Sequence, residues 1–221
     1  MRRPGPHRRR LRAALAAAAA LVLAVALGAC GSSSSSSSGS SPTTAAKAAD
    51  ASYQAAGVLE PIQQAPPLKL HNYKGEPVNI DDYRGKAVLV TFIYTHCPDV
   101  CPLITSNLRV TLNLLGKEAS KAQVIAVSVD PKGDTPKTVT AFLAKHEMTG
   151  RMQYLIGNAH ELGAVWKAWG VGAERDANNP DLVEHSGLVY GITGTGQRAT
   201  LYDAQFKPSE VAHDVRLLAS R

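Results

Sequence analysis

Only two cysteines lie beyond the first thirty residues. They are Cys97 and Cys101, four positions apart in the stretch Tyr94-Thr95-His96-Cys97-Pro98-Asp99-Val100-Cys101-Pro102. A pair of thiols this close supports two chemistries, disulfide exchange and the binding of a soft metal ion, and both run through the thiolate. The common redox loop has two residues between its cysteines. This one has three, which lets the sulfurs open around a metal and still close to a disulfide. Both chemistries therefore stay open. An inert structural disulfide is a poorer account, because a bridge across so short a loop restricts the unfolded chain little.

The thiols are expected where a central strand turns into a helix. Residues 87–94 form an apolar run whose β-branched and aromatic content and length suit a buried strand. After the cysteines, Leu103, Ile104, Leu108, Leu112 and Leu115 recur at helical spacing. Pro102 suits a first helical position, and Gly116 suits the residue past the last turn. Pro102 also disfavours helical torsions at Cys101, which places Cys97 in the loop and Cys101 at the mouth of the helix. Unpaired backbone N–H groups and the positive end of the helix dipole then favour the thiolate at both positions. Asp99 is expected to cap this helix.

The chain opens with a leader. Residues 1–12 carry six arginines and no acid, and residues 13–26 form an apolar run too short for a comfortable membrane span. Leu27-Gly28-Ala29-Cys30 follows and resembles the lipobox of bacterial lipoproteins, where the signal is cut before a cysteine that is then lipidated. The expected organisation is a signal over residues 1–29, a lipidated Cys30 with a flexible tether over residues 30–56, and one folded domain over residues 57–221. The unbroken serine run from Ser32 to Ser38 and its small, polar neighbours have almost nothing to bury. Such a chain is exported and held on the outer face of the cytoplasmic membrane through its lipid anchor. The leader holds six of the 24 basic residues and none of the 18 acidic ones, so the remainder balances at eighteen of each. The basic character of the whole chain thus belongs to the leader and gives no support for nucleic-acid binding.

Within the folded part, residues 61–67 read as an extended lead-in, and residues 68–70 and 78–80 as the arms of a small hairpin. A second apolar run spans residues 123–129. Thr135-Pro136 opens a helix reaching about His146, and residues 152–156 are a third short strand. Asn158-Ala159-His160-Glu161 has the capping-box pattern for a helix through Trp169 that Gly170 closes. Trp166 and Trp169 on that helix read as packing residues. Residues 172–183 read as a polar loop, residues 188–192 and 198–202 as a hairpin, and Ser209 as the start of a final helix. Strands alternating with helices predict an α/β domain with a parallel core and antiparallel edges.

Residues 92–102, with Asp82-Tyr83-Arg84-Gly85-Lys86, Ser128-Val129-Asp130-Pro131, Asp134-Thr135-Pro136 and Glu184-His185-Ser186, resemble the signature of the Sco/SenC family of thioredoxin-fold copper chaperones. The likeness covers the chain from Leu68 to its end. It implies a thioredoxin-like fold, with a central mixed sheet flanked by helices and an N-terminal hairpin extension. It also implies copper, as Cu(I) or Cu(II), bound by Cys97, Cys101 and His185. The implied role is assembly of the copper centre of cytochrome oxidase, with a copper-accepting oxidase subunit as partner and a copper donor or thiol reductant upstream. Two turns depart from the family pattern, at His71-Asn72-Tyr73-Lys74-Gly75 and at Thr193-Gly194-Thr195-Gly196, and both lie away from the implied ligands.

Two thiolates and one imidazole suit a soft monovalent copper ion, whereas a structural zinc site would want a fourth protein ligand. His96 adjoins Cys97 and is expected to assist from behind the ligands. Asp130, at the carboxyl end of a strand, could orient a ligand or form the turn with Pro131. A rival function from another class is thiol-disulfide oxidoreduction, with Cys97 as the attacking thiol and Cys101 as the resolving one. Against it, His185-Ser186-Gly187 lacks the cis-proline that thioredoxin-like reductases place before the late strand.

Overall fold

The apolar periodicities resolve into ten strands and four α-helices among the residues that this computed structural model describes, 52–175 and 183–221. In chain order they are β1 (Gly57–Gln64), β2 (Lys69–Asn72), β3 (Pro77–Asn79), β4 (Ala87–Ile93), α1 (Val100–Leu115), β5 (Ala122–Ser128) and α2 (Pro136–Lys145). There follow β6 (Met152–Ile156), α3 (Ala159–Trp169), β7 (Ala173–Arg175), β8 (Val183–His185), β9 (Val189–Ile192), β10 (Gln197–Tyr202) and α4 (Pro208–Ala219). The expected signal, Cys30 and nearly all of the tether lie outside the described residues.

Eight strands form one sheet in the order β1-β10-β9-β4-β5-β6-β2-β3. β4, β5 and β6 run parallel at its centre, while β9, β10 and β1 on one side and β2 and β3 on the other pair antiparallel. The parallel centre explains the sequence pattern, since every residue of β4 is buried and nothing alternates. Helices cover both faces. Successive strand residues point to opposite sides, and β9 shows which helix lies where. A side chain at Gly191 would run into Leu218 of α4, whereas its neighbour Tyr190 packs edge-on against Trp169 of α3, ring centroids 5.5 Å apart. Trp169 also packs against Phe92 of β4 at 5.8 Å, which makes it the centre of the α3-side core. α1 packs beside α4 on the other face.

Two stretches are more ordered than the sequence implied. The expected lead-in is β1, an edge strand laddered to β10 from Gly57↔Leu201 to Gln64↔Gln197 around a bulge. It buries little, so no apolar pattern announces it. The expected loop at residues 172–183 contributes β7 and the start of β8, which pair as a separate two-stranded ribbon, Ala173↔His185. The expected hairpin is β2–β3, with Leu70 opposite Val78, and β2 fastens it to β6.

Candidate metal centre

The buried strand β4 ends at Ile93 and delivers the loop that carries the cysteines. α1 begins at Val100, two residues before the expected start at Pro102. Proline is tolerated there because the first four helical N–H groups have no intrahelical acceptor to lose. Cys101 accordingly sits within the first turn, with Thr105 donating from Oγ1 to its carbonyl at 2.8 Å. Asp99 occupies the N-cap position, yet its side chain makes no capping hydrogen bond. The Cys101 N–H is donated to Cys97 Sγ instead, at 3.3 Å. The cysteine sulfur takes the place that a capping oxygen would have held.

β8 brings the third group. Its Nε2 end puts His185 3.6 Å from Cys101 Sγ, and the ligand atoms of Cys97, Cys101 and His185 all lie within 4.8 Å of one another. Both thiols are free. His185 Nδ1 is 3.3 Å from the Ser186 carbonyl oxygen. That oxygen can only accept, so Nδ1 donates to it, which holds the ring with its Nε2 edge facing the sulfurs. Tyr94 holds the imidazole in place: its ring meets His185 edge-on, centroids 5.8 Å apart at 81°. Its hydroxyl accepts the Val183 N–H at 3.3 Å. The segment after His185 is fixed as well, by a 3.0 Å hydrogen bond from Thr91 Oγ1 to the Leu188 carbonyl.

The two thiols are not alike, contrary to the expectation that the helix end would ionise both. The Cys97 thiol is lowered to about 4, chiefly by hydrogen bonding from the Cys101 side chain, which outweighs its burial, with help from His185 and the backbone N–H groups of Asp99 and Cys101. Burial pushes the Cys101 thiol far above the ordinary thiol range, and the neighbouring Cys97 pushes it further. A fully buried sulfur cannot shed its proton into water, and the helix dipole does not compensate for that desolvation.

His96 and Asp130 stand apart from the three-ligand cluster. His96 is exposed, with Nδ1 3.2 Å from Thr95 Oγ1. Asp130 is a turn former: its Oδ1 accepts the Lys132 N–H at 3.2 Å and its carbonyl accepts the Asp134 N–H at 2.9 Å. Gly133 makes room for that turn, because a Cβ there would lie 2.2 Å from Asp130 Oδ2 and 3.1 Å from His96 Nδ1. The acid that reaches the cysteine loop is Asp134. Nearly buried, it accepts the Thr95 N–H at 2.8 Å, the Ser128 hydroxyl at 2.6 Å and the Tyr154 hydroxyl at 2.8 Å. The roles of Tyr94 and Asp134 escaped the sequence reading. An acid two residues before the helix-opening Pro136 reads as a surface turn residue unless its burial is known.

Set against known proteins, residues 59–220 match a family model described as SCO1/SenC. The SenC protein of Rhodobacter capsulatus is 30% identical over 151 residues, 67% of this chain and 67% of that protein. Eight such relatives are covered over 44% to 74% of their lengths. Among solved structures, ScoI of Bradyrhizobium japonicum with copper bound is similar at a TM-score of 0.62 and 30% identity, over 70% of this chain and 99% of that one. A SCO1/SenC family lipoprotein from Bacillus anthracis is similar at a TM-score of 0.64 and 24% identity, over 73% and 99%. The α/β fold, with its mixed sheet between helices, is thioredoxin-like.

Proposed function

Since this chain belongs to the SCO1/SenC family, we propose that it is a copper chaperone whose cargo is held by the sulfurs of Cys97 and Cys101 and by Nε2 of His185. The observation that carries this reading is the convergence of those three soft or borderline donor atoms within 4.8 Å, on thiols that are free. The donor set fits copper(I), which accepts low coordination and prefers thiolate with imidazole. Copper bound in the similar ScoI of Bradyrhizobium japonicum supports it. The ionised Cys97 is suited to meet incoming copper first. Cys101 completes the pair on losing its proton, and His185 closes the site with its ring already oriented by Ser186 and Tyr94.

The recipient in this reading is a copper-accepting subunit of a respiratory oxidase. The lipobox-like Leu27-Gly28-Ala29-Cys30 would anchor the domain to the outer face of the cytoplasmic membrane. Among the described residues no helix is long and apolar enough to cross a membrane.

A second reading has its own support in the unequal thiols. A low-pKa Cys97 beside a protonated, buried Cys101 is the arrangement of an attacking and a resolving thiol. Cys97 thiolate would open a partner disulfide, and Cys101 would displace the partner to leave a Cys97–Cys101 disulfide and a reduced partner dithiol, with a separate thiol reductant restoring the pair.

An anaerobic copper(I) titration of the reduced full chain against a competing chelator separates the two. The expected result is one tight copper per chain, lost when both cysteines are replaced. His185→Ala should weaken it by about tenfold or more, since even partners standing behind a ligand are worth that much. Absence of tight binding, with fast reduction of a disulfide substrate undiminished by His185→Ala, would replace the chaperone with the reductase.

A further inference from the structure

Tyr94 meets all three groups of the proposed site. Its ring lies edge-on to His185, and its N–H bonds to the Cys101 sulfur. Its carbonyl accepts the Cys97 N–H at 3.4 Å, a turn that sets Tyr94 and Cys97 side by side. Phenylalanine would fill the same space and make the same ring contact, so packing alone does not call for a tyrosine here. The hydroxyl is what needs a reason. Tyr94 is 2% exposed, and its phenolic oxygen already accepts the Val183 N–H at 3.3 Å. A buried phenol that accepts one bond still has its own proton to place. The acceptor beside it is Cys97 Sγ. Burial first, opposed by the Val183 N–H, then the charges of Cys97 and Cys101 and a hydrogen bond to the Cys97 side chain hold the phenol above its usual range. It therefore keeps the proton that it donates.

We infer that Tyr94 is a positioning residue whose hydroxyl donates to Cys97 Sγ and thereby biases the site toward cuprous rather than cupric ion. The inference rests on the chaperone reading and adds what selects the charge of the cargo. A thiolate sulfur that accepts a hydrogen bond gives less electron density to its metal. The cupric ion depends on that density more than the cuprous ion does, so the bond favours the reduced state. The backbone N–H groups of Asp99 and Cys101 also donate to this sulfur, and they stay whatever the side chains are. The phenol is the donor that a side-chain exchange can remove without touching a ligand.

The test uses the full chain in detergent, loaded with copper. The midpoint of the bound copper couple is read from its thiolate-to-copper(II) absorption while redox mediators set the potential. Tyr94→Phe should raise the ratio of cupric to cuprous affinity about tenfold, the worth of one hydrogen bond to a charged group. For a one-electron couple that lowers the midpoint by about 59 mV. A ring-fluorinated tyrosine in place of Tyr94, a stronger donor of nearly the same shape, should lower the ratio by about twofold or more. A side chain that merely steadied His185 would give the opposite sign in Tyr94→Phe, because the harder cupric ion loses more when the imidazole loosens. An unchanged or smaller ratio in Tyr94→Phe would overturn the inference. Should that variant fail to hold copper, the fluorinated chain decides, and a ratio that does not fall there overturns it equally. A parent chain without tight copper binding would instead overturn the chaperone reading, and this inference with it.

Discussion

Replacing Asp134 with alanine removes the acceptor that one half-buried and two buried donors share: the Thr95 N–H at 2.8 Å, the Ser128 hydroxyl at 2.6 Å and the Tyr154 hydroxyl at 2.8 Å. The Tyr154 hydroxyl has a second acceptor in the Ile93 carbonyl at 3.3 Å, so it can be satisfied again. Thr95 N–H and the Ser128 proton are left without one. At about 1–3 kcal/mol for each orphaned buried group, Asp134→Ala should cost about 3–4 kcal/mol. Asp134→Asn keeps an oxygen for Thr95 and turns an amide toward two hydroxyls that can accept from it, so its cost should be about 1 kcal/mol. Burial already raises the Asp134 carboxyl above the usual range, which further lessens what the neutral amide loses. Urea unfolding of the reduced chain followed by tryptophan fluorescence measures both costs. Trp166 is a suitable reporter, since its Nε1 donates to the Ser128 carbonyl at 2.9 Å. Alanine costing under about 1 kcal/mol, or asparagine costing as much as alanine, would refute the role of this carboxylate as the acceptor that fixes the cysteine loop.

Stability of the reduced chain should depend on pH through Cys97. Its folded pKa is lowered to about 4, so its contribution is fully present above the unfolded thiol value of about 8.5 and is lost as the pH falls toward the folded one. Denaturation midpoints should therefore drop as the buffer is taken from pH 8 to pH 5, and Cys97→Ser should remove that part of the slope. The raised Cys101 works in the opposite sense and lowers stability only above the unfolded thiol value. At the far end of the sheet, the fully buried Asp214 accepts the Tyr202 hydroxyl at 2.8 Å and the Gln54 N–H at 2.8 Å. Asp214→Ala should cost about 2–4 kcal/mol. It should also speed hydrogen exchange at the Gln54 amide, which a purely helical defect in α4 would leave unchanged.

The elements whose stability comes from their own apolar pattern were legible in the sequence, and those held by partners were not. β4, β5 and β6 announce themselves because both their faces are covered. α2 and α3 do so because Thr135 and Asn158 cap them with reciprocal side-chain bonds. β1 is held by a ladder to a strand far along the chain, and β7 and β8, nearer in sequence, are held by a ladder to each other; no local periodicity encodes either pairing. The site divides along the same line. The spacing of Cys97 and Cys101 is a local signal, but His185 lies 84 residues from Cys101 and was reached only through resemblance. Tyr94 joins the two halves, since it precedes the cysteines by a few residues and bonds both to the strand and to the ring that bring in His185. The difference between the thiols is a further case. Position at a helix mouth favours ionisation of both alike, whereas burial acts on Cys101 alone. Burial is a property of what α1 packs against and not of the nine residues around the pair. One consequence follows for exchange: with Cys101 sealed beneath the helix turn, an incoming thiol reaches Cys97 before Cys101.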